Sequence, residues 1–197
     1  MAVMDPVPGA QAPAGQISAD GRFRWDGQQW VPLGPGEREA TPWTRPMQLA
    51  SAAVLALSAI SGLVLTIAFV NHDSVMRSLQ AQGTQLPTNT NVDTVINLSI
   101  GITWAVVIAI GLIELFAAVG SFLGWRWMFW GALVLFALDG IGALLNVASL
   151  ANSSRSTMPL GALAWNEIVS LAGLAMFVWM LVAVIKYGPW AMKRLGT

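Results

Sequence analysis

Four apolar runs decide what this chain can fold into. They extend from Met47 to Val70, Val95 to Leu123, Trp127 to Leu150 and Leu160 to Ile185. Each is about 24 residues or longer, against the roughly 20 that a helix needs to cross a ~30 Å hydrocarbon core at ~1.5 Å per residue. Only helices and closed barrels satisfy every backbone polar group within lipid, and runs of this length read as helices. Composition agrees. Charged residues make up 10% of the 197 residues and hydrophobic ones 55%, where a soluble domain carries about 25% charged. Such a chain has too few charges to cover a water-facing surface. The expected fold is an all-α membrane protein, with a four-helix transmembrane domain over residues 47–197 and helices at about 47–70, 95–123, 127–150 and 160–185.

The connections between the runs set topology. Residues 71–94 form a polar loop containing Leu86-Pro87-Thr88-Asn89-Thr90-Asn91. Gly124 to Arg126 form a tight turn, and Ala151 to Pro159 a short Asn/Ser-rich loop. Short connections imply antiparallel neighbours, so the second helix should pack on the third and the third on the fourth. Basic residues set orientation. Arg22, Arg24, Arg38, Arg45, Arg126, Lys186, Lys193 and Arg194 fall on one side, and only Arg77 and Arg155 on the other. The positive-inside rule then puts both termini and the 124–126 turn in the cytoplasm, in a multi-pass protein of the cell membrane. Trp43, Trp125, Trp127, Trp130, Tyr187 and Trp190 fall at the same end, where aromatic rings anchor at the interface. Residues Met1 to Gly15 lack a basic n-region and an apolar h-region, so the first membrane helix is expected to do the targeting.

Ahead of the membrane domain the pattern changes. Residues 1–17 are rich in Pro, Ala, Gly and Gln and read as a disordered tail. In 18–33, Phe23 and Trp25 alternate with Arg22 and Arg24, Asp26-Gly27 supplies a tight turn, and Gln28 to Val31 return toward the first strand. That is a β-hairpin pattern. A lone hairpin is marginal in water, so this one should lean on its aromatic residues or on a partner. Residues 34–46, Pro/Gly-rich with mixed charge, read as a linker.

Three carboxylates lie inside apolar runs: Glu114, Asp139 and Glu167. Burying a charge at the bilayer centre costs roughly 2.5–3.5 kcal/mol on insertion scales, so each should face the bundle interior or water. The second and third helices reverse near residue 125, which brings Glu114 to about the depth of Ala137 and within about one turn of Asp139. No Lys or Arg lies near them in sequence. Two readings stand side by side. One is a proton-sharing pair on an ion pathway; the other is a structural acid bonded to a backbone carbonyl or to a hydroxyl such as Ser58 or Ser61. A second polar layer lies nearer the opposite surface, where Asn146 comes level with Trp165, Asn166 and Glu167. Asp139, Gly142 and Asn146 share one helix face, as do Asn166, Ser170 and Gly173. That layer reads as interhelical hydrogen bonding or as a small polar pocket. Small residues at four-residue spacing, such as Gly101/Ala105/Ala109 and Ser58/Gly62, suit close helix contact within the chain or in a homo-oligomer.

Several function classes are disfavoured. The formal net charge is zero, which offers no field for nucleic acid. Without cysteine there is no disulfide, thiolate metal site or cysteine nucleophile. The single histidine, His72, leaves no multi-histidine metal site. No Ser-His pair or phosphate-binding glycine loop stands in a membrane segment, so no catalytic residue, metal or cofactor is expected.

The segment Asp20-Gly21-Arg22-Phe23-Arg24-Trp25-Asp26-Gly27-Gln28-Gln29-Trp30-Val31-Pro32 resembles a short tryptophan-rich module at the N-termini of many bacterial membrane proteins, actinobacterial ones among them. The usual pattern is D-G-x-x-R-W-W-D-G-x-x-W; here Arg24 precedes a single Trp25 rather than a pair. The resemblance implies a cytoplasmic docking role and no reaction. The membrane part looks like small bacterial tetraspan proteins of the inner membrane, and lacks the Gly-Leu-Trp-Cys-Cys signature of claudin-type tetraspans. The leading expectation is therefore a non-enzymatic scaffold or accessory subunit, with Phe23, Trp25 and Trp30 as contacts for a protein partner and the lipid bilayer as the other partner. The alternative is a small transporter or channel component acting through Glu114, Asp139, Asn146, Asn166 and Glu167.

Overall fold

A computed structural model describes residues 13–19, 23–32, 38–81, 83, 91–151 and 158–194. In chain order the elements are β1 (Phe23–Trp25), β2 (Trp30–Pro32), β3 (Arg38–Ala40), α1 (Thr44–Phe69), α2 (His72–Ala81), α3 (Val92–Phe122), α4 (Met128–Ala151), α5 (Leu160–Lys186), a 3₁₀ turn (Pro189–Ala191) and β4 (Met192–Arg194). Four of them, α1, α3, α4 and α5, are long and apolar enough to cross a membrane. Their ends fall within three residues of the boundaries expected from hydropathy. The protein is thus an all-helical membrane bundle with a small N-terminal β-hairpin.

The hairpin forms where its turn chemistry demands it. Asp26 Oδ1 accepts the amides of Gln28 at 2.7 Å and Gln29 at 2.8 Å, and Gly27 takes the left-handed backbone (φ +108°) that only glycine adopts without cost. β1 and β2 pair antiparallel with Trp25 opposite Trp30, their rings 5.5 Å apart. The chain before β1 is part of this unit. Gly15 donates to the Trp25 carbonyl at 2.7 Å, Trp25 donates to Gln16 at 2.8 Å, and Ile17 bridges Arg24. The expected tail of 1–17 therefore ends in a paired edge; its first twelve residues lie outside the described ones. A third edge supplies backbone bonds that a two-stranded ribbon lacks.

The segment expected as a linker, 34–46, holds structure from residue 38 onward. β3 pairs antiparallel with β4, Glu39 opposite Lys193 and Ala40 opposite Met192, so the two ends of the membrane domain close on each other. Thr41 and Thr44 hydroxyls both donate to the Ala191 carbonyl, at 2.8 and 3.3 Å. Trp190 is a correction to its reading as an interfacial anchor: it is fully buried. The chain reverses at Gly188 (φ +111°) and passes through left-handed backbone at Trp190 and Ala191. That places the indole edge-to-face on Phe129, with 5.3 Å between ring centres, and its Nε1 donates to the Trp125 carbonyl at 2.9 Å.

The polar connection expected at 71–94 holds a helix, α2, and the first residues of α3 among its described residues. Asn71 caps α2 by accepting the Ser74 amide at 2.9 Å, and Asn91 caps α3 by accepting the amides of Asp93 and Thr94. His72 Nε2 lies 3.2 Å from Asp93 Oδ1, which joins the starts of α2 and α3.

Packing within the bundle keeps one of the two expected neighbour pairs, α4 on α5, and weakens the other, α3 on α4. α1 lies chiefly against α3, α4 against α5, and α1 also meets α5; the α3–α4 contact is slighter. A short turn makes two helices adjacent at one end only, and side-chain fit decides the remainder. Met47, Leu55, Phe129, Phe136 and Met180 are fully buried at the centre. Ile67, Leu112, Leu144 and Ile185 point outward, as apolar residues do when the solvent is lipid.

Candidate functional site

Among the helices lies a half-open cavity of about 220 Å³ walled by four of them. α1 contributes Ser58, Ser61 and Gly62; α3 contributes Gly111 and Glu114; α4 contributes Asp139; α5 contributes Asn166 and Ser170. On α1, α3 and α5 the wall residues recur at three- and four-residue spacing, the spacing of one helix face. Gly62 and Gly111 leave room where side chains would fill it.

Glu114 is buried, and Ser58 Oγ donates to its Oε1 at 2.8 Å. Asp139 projects into the space left by Gly173: a Cβ on residue 173 would stand 2.6 Å from Asp139 Oδ2. Trp165 Nε1 donates to Ser61 Oγ at 3.1 Å and so orients a second hydroxyl of the wall. Among the described residues that line the cavity there is no Lys or Arg. The polar atoms offered are carboxylate, hydroxyl and amide groups. That is a hard oxygen-rich set, suited to a proton, a hydronium ion or a small cation and not to an anion.

The structure thus brings Glu114, Asp139 and Asn166 to one cavity, joining one member of the second polar layer to the carboxylate pair. Glu167 is not among the lining residues. It follows Asn166 on α5, and successive helical residues point about 100° apart. Its side chain is buried, and Oε2 has no hydrogen-bond partner among the described residues. The Asn146 side chain lies outside the described residues. Trp165 and Gly173, placed by sequence in the second polar layer and on its helix face, serve the cavity through Ser61 and Asp139.

In the hairpin, Phe23, Trp30 and Val31 are exposed, and Trp25 is half-buried against Trp30. Phe23 and Trp30 border a shallow open groove with Ser18 and Ala19. The expected contact set therefore divides: Phe23 and Trp30 face outward, while Trp25 sits between strand and ring. No family model matches the chain, and no curated protein or solved structure is significantly similar to it.

Proposed function

We propose that this chain is a non-enzymatic component of a proton or small-cation pathway in the cell membrane, with both termini cytoplasmic. The observation that carries the reading is the cavity shared by Glu114 and Asp139, walled by hydroxyls and an amide and lined by no cation among the described residues. Intramembrane carboxylates that face a polar cavity mark proton relays and ion sites. The Ser58 hydroxyl on Glu114 supplies a donor that a relay needs. The orientation rests on the excess of Arg and Lys at the end where β3 and β4 pair.

Liposomes containing the purified chain and a pH-sensitive dye test it. Proton or cation flux should be present, and Asp139→Asn or Glu114→Gln should reduce it at least about tenfold, the cost of one mismatched group at ~1.4 kcal/mol. Equal flux in both variants, or loss of folded protein without a change in flux per molecule, refutes the pathway and leaves the carboxylates as interhelical bonds.

A second reading, a scaffold or accessory subunit, is favoured by the exposed Phe23 and Trp30 on the hairpin. Aromatic anchors of this kind are typical of contact sites. A mild-detergent pull-down whose partner is lost with Phe23→Ala/Trp30→Ala supports it; retention of the partner removes the hairpin from consideration.

A further inference from the structure

At the end of α5 a second cavity, about 420 Å³, opens beside the β3–β4 pair. Three cations line it from three elements: Lys186 in the last turn of α5, Arg38 on β3 and Lys193 on β4. Gly188 makes the assembly feasible, because the Arg38 guanidinium occupies the place where a Cβ on residue 188 would stand. Arg38 Nη1 also donates to the Met192 carbonyl at 3.3 Å, which holds it across the turn. Lys186 Nζ lies over the rings of Tyr187 and Trp43, at 5.0 and 5.7 Å, and neither Lys186 nor Lys193 has a carboxylate within ion-pair distance among the described residues. Glu39 stands opposite Lys193 in the strand register, exposed and not ion-paired with it.

The remaining wall is apolar. Val184 and Ile185 belong to the same cavity, and Ile185 is 79% exposed, on the surface that meets lipid. The pocket therefore presents positive charge at the headgroup level and aliphatic surface beneath it. A free anion uses only the first; an amphiphile uses both.

We propose that this pocket binds the phosphate headgroup of an anionic phospholipid, with Arg38, Lys186 and Lys193 on the phosphate and an acyl chain along Val184 and Ile185. Lys186 and Lys193 supply point charges, and the Arg38 guanidinium, held in place through Nη1 on the Met192 carbonyl, adds fixed positive charge beside them. The site is separate from the Glu114–Asp139 cavity, which opens among other helix faces.

The test is native mass spectrometry of the full chain in mild detergent with equal phosphatidylglycerol and phosphatidylcholine. The wild type should retain phosphatidylglycerol preferentially. Each lysine removed should lower that preference about 5-fold, from roughly 1 kcal/mol per basic residue near the surface, so Lys186→Gln/Lys193→Gln together lose about 30-fold. Lys186→Arg/Lys193→Arg should keep most of it. Arg126→Gln removes a charge at the same end but outside the pocket and should change little. If the double Gln variant does not fold, Lys193→Gln alone, at an exposed strand position, carries the test. An unchanged preference in the Gln variants overturns the site, and an equal loss in Arg126→Gln replaces it with a diffuse surface field. Inorganic phosphate that displaces phosphatidylglycerol and raises the thermal midpoint as much as the lipid does overturns the lipid in favour of a free anion.

Discussion

Replacing Trp190 tests whether the chain termini are structural parts of the bundle. The residue is fully buried, packs on Phe129 and donates to the Trp125 carbonyl at 2.9 Å. Truncating a buried Trp to Ala costs about 3–5 kcal/mol. Trp190→Phe keeps much of the ring contact and loses the hydrogen bond, about 1 kcal/mol net. The Trp125 carbonyl still accepts from Met128, so it is not orphaned and the larger penalty of an unsatisfied acceptor does not apply. The backbone adds a sharper test. Trp190 sits at φ +56°, a conformation that costs an L-residue roughly 1–2 kcal/mol. Glycine escapes that cost but adds about 0.4–1 kcal/mol of unfolded-chain entropy. Trp190→Gly should therefore be as stable as Trp190→Ala or better by up to about 1.6 kcal/mol, the reverse of the order in a helix interior. Reversible unfolding in mixed micelles, followed by circular dichroism, measures all three. A loss below about 1 kcal/mol for Trp190→Ala refutes the packing argument drawn from truncation energetics. A glycine variant clearly less stable than the alanine variant refutes the backbone argument.

Other outcomes follow from named contacts. Gly173→Ala places a methyl 2.6 Å from Asp139 Oδ2; it should cost about 1–3 kcal/mol by overpacking and displace Asp139 from the cavity, seen as altered flux alongside a lower unfolding midpoint. Gly124→Ala forces an L-residue into φ +71° with a Cβ 2.6 Å from the Gln48 amide, and should destabilise the α3–α4 turn by at least about 1–2 kcal/mol in the same assay. The amides of Gln29 and Gln28 bond the Asp26 carboxylate and hold its pKa below the usual aspartate value of 3.8. A depressed folded pKa contributes stability that is present above pH 3.8 and is lost as pH falls through the folded value. Acidification below pH 3.8 should then uncouple the Trp25–Trp30 pair, read from its exciton signal in circular dichroism, and Asp26→Asn should abolish that pH dependence.

Hydropathy made the four membrane helices legible because a bilayer imposes length and polarity on each helix separately, with no reference to its neighbours. The Asp-Gly turn was equally legible, since Asp26 and Gly27 satisfy the turn within four residues. Depth arithmetic along antiparallel helices correctly set Glu114 near Asp139, because axial rise is a property of the helix itself. It placed Asn166 level with Glu167 but did not tell which of the two lines the cavity, because depth says nothing about azimuth and adjacent residues diverge by about 100°. The clasp of β3, β4 and Trp190 was not legible at all. Its halves lie about 150 residues apart, and their short strands carry no pattern that names a partner.

Sequence by itself therefore determined how many times the chain crosses the membrane, where the hairpin turns and which carboxylates had to be sheltered. Tertiary structure decided which helices pair, that Ser58 meets Glu114 and Gly173 admits Asp139, and that Arg38, Lys186 and Lys193 converge from three elements. The first set depends on local backbone geometry and on transfer from water to lipid. The second depends on which side-chain surfaces fit across distant parts of the chain, and that fit exists only once the helices have packed.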